Sequence, residues 1–172
     1  RKFCSCWESI QHFEEFEGNG IDITAVGGQH GAGIGGGGWV STYSTPDVQK
    51  VESIKITGDT TINASSKSHG TGIGSGCHGT IGTITIGDGT SADNALRIIS
   101  NGGNDGASIG AGWAGTMDSI TINGGTITAN AGTQGAGIGS GYQAIGGTIT
   151  INGGIITSTG STNSSGNGSG KN

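Results

Sequence analysis

Two carboxyl groups facing one groove hydrolyse a glycoside, and a calcium-assisted lyase needs several oxygens around one ion. Beyond the first 17 residues the acids available for either are Asp22, Asp47, Glu52, Asp59, Asp88, Asp93, Asp105 and Asp118. They share no repeated position; most fall at turns or in insertions. Asp59 and Asp88 come nearest to a pair, but turn aspartates ordinarily bond their own backbone. Cysteine chemistry would start from Cys4-Ser5-Cys6 and Cys77-His78. One residue between paired cysteines is tighter than the roughly two to four of zinc sites. His12, His30 and His69 have no mutual spacing that suggests a site. The expectation is therefore no catalytic residue, no metal ligand, no cofactor and no enzyme.

Two other sets of residues do recur. Counted four residues past a repeated isoleucine, the chain reads Gly38 (with Trp39 next), Cys77, Trp113 and Tyr142. Stacked, Trp39, Trp113 and Tyr142 would form an intermittent aromatic column, the kind of surface that grips the apolar face of a sugar ring. The same column would also serve simply to shield a corner. The second set is Ser53 and Lys55, Thr83 and Thr85, Ser119 and Thr121, and Thr148 and Thr150. These would line two parallel columns of short polar side chains, interrupted by Lys55, although threonine is also a good exposed strand residue.

The elements that must position these residues come from an internal repeat, the first thing to seek in a glycine-rich chain. Gly31-Ala32-Gly33-Ile34-Gly35-Gly36-Gly37 returns at residues 70–76, 106–112 and 135–141, and fades into residues 164–170. Ile23, Ile62, Ile98 and Ile127 each lie 11 residues before the motif isoleucines Ile34, Ile73, Ile109 and Ile138, and Ile156 stands likewise before Asn167. Further upstream come alternating segments, 53–56, 83–86, 119–122 and 148–151, with isoleucine at every second place. Such alternation gives a strand with one apolar and one polar face.

Stacked at strand spacing, about 4.8 Å, these segments predict an all-β, right-handed parallel β-helix. It is a three-sided solenoid of about five rungs, its core four columns of isoleucine. The handedness follows from that of parallel crossovers. Turns are expected at Gly58-Asp59, Asp88-Gly89, Asn123-Gly124 and Asn152-Gly153, residues that accept positive φ. The organisation expected is a cap over residues 1–17, repeats over 18–158, and a polar terminal rung or linker over 159–172. In the cap, Trp7, Ile10 and Phe13 recur at helical spacing before Gly18, a helix stop. A solenoid needs such a lid; packed on a neighbouring copy instead, it would join copies end to end.

Composition agrees. The 172 residues hold 40 glycines and one proline, which excludes collagen and polyproline. Twenty-three isoleucines stand against one leucine, Leu96, and β-branched side chains suit pleated strands. Seven basic and 12 acidic residues, with no basic cluster, give no footprint for nucleic acid. No apolar run is long enough to insert in a membrane.

The Gly-Ala-Gly-Ile-Gly-Ser-Gly motif of residues 135–141, with Thr-Ile-Thr-Ile-Asn-Gly-Gly between copies, resembles repeat modules of large secreted or wall-attached bacterial proteins. Those are described as carbohydrate-binding or right-handed β-helix domains. The resemblance covers residues 18–170 and implies an extracellular or cell-surface role with a polysaccharide or surface glycan as partner. It supplies no catalytic residues. The Thr/Ser array separately resembles the ice-binding face of several antifreeze proteins. The expected function is thus a structural or adhesive module that binds glycans or forms filaments; ice binding comes second and a polysaccharide lyase or hydrolase third.

Overall fold

The computed structural model describes residues 12–38, 49–162 and 164–170. It is all-β, with almost no helix and parallel sheets curled into a half-barrel. In chain order the strands are β1 (His12–Val26), β2 (Ile34–Gly35), β3 (Lys50–Ser65), β4 (Ile73–Gly74), β5 (Thr80–Ile86), β6 (Arg97–Asn101) and β7 (Ile109–Gly110). There follow β8 (Thr116–Ile122), β9 (Thr126–Asn130), β10 (Ile138–Gly139), β11 (Thr148–Ile151), β12 (Ile155–Thr159) and β13 (Asn167–Gly168). One short 3₁₀ turn, Ser91–Asn94, sits in the insertion between β5 and β6.

Every pairing is parallel, and each repeat lies on the one before it. The larger sheet runs β11-β8-β5-β3-β6-β9-β12, with β1 along β3; the smaller runs β13-β10-β7-β4-β2. The long strand β3 spans both expected segments of its repeat. Its first half pairs with β5 through Ile54↔Ile84, and its second half with β6 through Ile62↔Ile98. The four isoleucine columns form as the alternation demands. Ile54, Ile84 and Ile120 are fully buried, as are Ile56, Ile86 and Ile122; Ile62, Ile98 and Ile127 follow, then Ile73, Ile109 and Ile138. Each such side chain contributes roughly 1.5–3 kcal/mol relative to an exposed one.

The glycine motif has a physical cause in the smaller sheet. Gly74, Gly110 and Gly139 adopt φ of 136°, 134° and 134°, outside the range of ordinary side chains. A Cβ on Gly110 would also lie 1.9 Å from the carbonyl oxygen of Gly139 in the next repeat. Conformation and close approach therefore both exclude a side chain there.

Two expectations are corrected. Residues 12–17 are not part of a helix. They open β1, which runs through Gly18 and pairs with β3 from Phe13↔Ser53 to Val26↔Ser65. Pairing along a whole neighbouring strand outweighs local helical spacing. Trp7 and Ile10 lie outside the described residues. At the turns, Gly58 and Gly89 take positive φ as expected, but the other left-handed residues are Gly87, Gly125 and Gly154, not Gly124 or Gly153. Asn123 and Asn152 instead build a side-chain ladder, Asn152 Nδ2 donating to Asn123 Oδ1 and Asn123 Nδ2 to the Gly87 carbonyl. At the C-terminal end, β13 pairs with β10, so the glycine-rich segment continues the stack as a polar terminal repeat.

Candidate functional site

Three positions of the repeat converge at the turns flanking the glycine strand. The residues four before the motif isoleucines are His30, His69, Asp105 and Gln134; those four after include Cys77, Trp113 and Tyr142. Backbone bonds lock the two sets together. The Cys77 amide donates to the His30 carbonyl, that of Trp113 to His69, and that of Tyr142 to Asp105, at 2.7–2.8 Å. One residue further on, His78, Ala114 and Gln143 all take the left-handed conformation, φ 55°, 48° and 53°.

The side chains form a continuous ladder. The rings of His30 and His69 stack with centroids 4.9 Å apart, and Trp113 tilts against His69 at 4.9 Å and His78 at 5.1 Å. His69 Nδ1 lies 2.6 Å from Asp105 Oδ2, and Gln134 Nε2 donates to the other carboxylate oxygen at 2.6 Å. A carboxylate only accepts, so Nδ1 carries the proton; whenever the ring is neutral, Nε2 is the nitrogen with the lone pair. Ser68 Oγ lies 3.4 Å from that Nε2. His69 and Asp105 are partly open to solvent, their side chains 26% and 15% exposed.

Three groups here carry an environmental cost. Burial, and next the charge of His69, lower the pKa of His30. Burial, and next the charge of Asp105, push the Cys77 thiol up to about 11. Among the described residues, His30 Nδ1 and Trp113 Nε1 are buried without hydrogen-bond partners; each such group costs about 1–3 kcal/mol.

Of the expected glycan residues, Trp39 lies outside the described residues. Trp113 and Tyr142 occupy equivalent places on adjacent repeats, both half-buried. The expected Thr/Ser face is in register: Ser53↔Thr83↔Ser119↔Thr148 and Lys55↔Thr85↔Thr121↔Thr150. Thr83, Thr148 and Thr150 are exposed, and Thr85, Ser119 and Thr121 partly so. Asp88 does bond locally, accepting from the Thr90 amide at 2.9 Å.

The histidine–aspartate ladder did not follow from histidine spacing, because its members differ in type from repeat to repeat. The motif alignment contains the signal: one fixed offset holds only residues with polar heads. A separate groove of about 320 Å³ beside the insertion is lined by Asp93, Arg97, Asn123, Thr126 and Ile155 among others. Asp93 is buried there, its Oδ2 accepting from the amides of Asp88 and Gly89. Among the described residues no three His, Cys, Asp or Glu side chains converge as a metal set, and no helix is long and apolar enough to cross a membrane. The chain matches no protein-family model, and no similar curated protein or solved structure was found.

Proposed function

We propose that the chain is a right-handed, three-sided β-helix that acts as a rigid extracellular or cell-surface module and holds glycans along one corner. The repeat-on-repeat parallel register supports the solenoid, since each Ile column continues unbroken from rung to rung. The observation that carries the glycan reading is the placement of Trp113 and Tyr142. Each donates its amide to a carbonyl of the preceding repeat, so the two residues hold equivalent places on adjacent repeats. That spacing suits an elongated polysaccharide, which meets successive rings with successive sugars. A glycan array tests it: binding to a polymer should weaken roughly tenfold or more in Trp113→Ala. Binding to no glycan, or an unchanged profile in the variant, overturns the reading. End-to-end association of copies belongs to the same proposal, and negative-stain images would display it as filaments.

A second reading rests on the in-register columns through Thr83, Ser119 and Thr148 and through Thr85, Thr121 and Thr150. Regular hydroxyl and methyl groups at strand spacing can order surface water, and the face would then bind ice. Thermal hysteresis of the purified chain, abolished by Thr121→Lys, is the expected result; its absence in the parent chain removes this reading.

A further inference from the structure

The geometry points to Ser68 as an activated nucleophile, with His69 as its base and Asp105 holding the base, in a site that cleaves small acyl esters. This goes beyond the scaffold reading and does not depend on it. Nucleophile, base and orienting group must meet in one order: hydroxyl to one imidazole nitrogen, carboxylate to the other. Here Ser68 Oγ faces His69 Nε2 at 3.4 Å and Asp105 Oδ2 holds Nδ1 at 2.6 Å. The first distance is within the looser range expected before a substrate draws the pair together.

The supporting contacts are of the kind a working base requires. Gln134 fixes the second oxygen of Asp105. His30 and Trp113 pack against the His69 ring in the orientation that faces both partners. The Asp105 amide donates to the Ser68 carbonyl at 2.9 Å, tying nucleophile and acid together through the backbone as well. A ladder that served only to cover the turn would not need a serine hydroxyl facing the nitrogen that the carboxylate leaves open. Such a hydroxyl at a partly exposed site can reach a substrate.

In the proposed reaction Ser68 Oγ attacks the acyl carbon while its proton passes to His69 Nε2. The ester C–O bond then breaks, and the leaving alcohol takes that proton. Water, deprotonated by His69, next attacks the acyl-serine; the carboxylic acid leaves and Oγ regains its proton. Asp105 stays a carboxylate throughout and holds the imidazolium that forms at each step. The site lies on an open turn, so the substrate class is small esters with good leaving groups.

A fluorophosphonate is the direct probe. Oγ displaces fluoride from phosphorus, His69 takes the proton, and a stable phosphonyl-serine results. Intact-mass and peptide mass spectrometry of the folded chain should place one adduct on Ser68. Hydrolysis of p-nitrophenyl acetate should fall roughly a hundredfold in Ser68→Ala and about tenfold or more in Asp105→Asn. Ser68→Ala removes one hydroxyl and leaves the backbone bond in place; circular dichroism checks the fold of Asp105→Asn. Absence of an adduct on Ser68 in the folded parent chain overturns the proposal. So does ester hydrolysis that persists unchanged in Ser68→Ala, since an imidazole alone would then account for it. Neither result bears on glycan binding, which Trp113→Ala tests separately.

Discussion

His69 Nδ1 lies 2.6 Å from Asp105 Oδ2, although 36 residues separate the two in the chain. Parallel stacking brings them together: Ile73↔Ile109 pair in the smaller sheet, and each residue stands four places before its isoleucine. A position that repeats once per turn of chain becomes a neighbour of itself. The ladder from His30 to Gln134 follows from that rule, and so do the properties of the groups around it.

Acid should weaken the fold through His30. Its pKa is lowered in the folded state by burial and then by His69, so the unfolded chain binds the proton first. Its share of stability is present above the ordinary imidazole value of 6.5 and is lost as pH falls through the lower folded value. Urea denaturation at pH 7.5 and pH 5 should show this loss, and His30→Gln should reduce it. Equal pH dependence in the two proteins would contradict the assignment.

Cys77 should be inert in the folded chain. With Cys4→Ser and Cys6→Ser in place, a thiol reagent at pH 8 should label it only after denaturant is added, because burial keeps the thiolate scarce. Raised folded-state pKa gives the opposite pH sense from His30. Stability should decline as pH rises from 9.0 towards about 11, since the unfolded chain ionises first. Rapid native labelling would show the thiol to be open.

Gly110→Ala should unfold much of the stack. A Cβ there meets the Gly139 carbonyl oxygen at 1.9 Å in a conformation with φ 134°, and strain with backbone overlap costs at least about 3 kcal/mol. Gly89→Ala is the control: its φ is 81°, yet nothing lies within 4 Å. Only the conformational penalty of about 1–2 kcal/mol remains. Thermal melts of both variants measure the difference.

Ala114→Gly should stabilise the chain. Ala114 takes φ 48° at a turn where His78 and Gln143 do the same. Glycine relieves that penalty, and the added freedom of the unfolded chain offsets only part of it. A gain of about 0.5–1 kcal/mol in denaturant midpoint analysis is expected; a loss would mean the alanine methyl packs more than it strains.

Strand content and the isoleucine columns were legible in the sequence, because alternation and β-branching act locally and repeat at fixed offsets. Ile54, Ile84 and Ile120 could be aligned without knowing the fold. The glycine motif was legible as a motif, but not its reason; that Gly110 faces the carbonyl of Gly139 is a contact between repeats. The strand at residues 12–17 was illegible, since Trp7, Ile10 and Phe13 keep helical spacing and only the edge of β3 decides otherwise. Turn residues were half legible: an Asn-Gly pair marks a turn, while the positive φ falls one glycine later, at Gly125 and Gly154.

The repeating core is written in the residues alone, for an inward isoleucine must recur wherever the chain returns to the same place. The side-chain cluster at the turn arises from the stacking of repeats. Repeats of unequal length, 39, 36 and 29 residues between motif isoleucines, hide the equivalence of His30, His69, Asp105 and Gln134. Their differing side chains carry no period of their own. Stacking makes them neighbours, and packing between His30 and Trp113 sets the orientation in which His69 faces Asp105 on one side and Ser68 on the other.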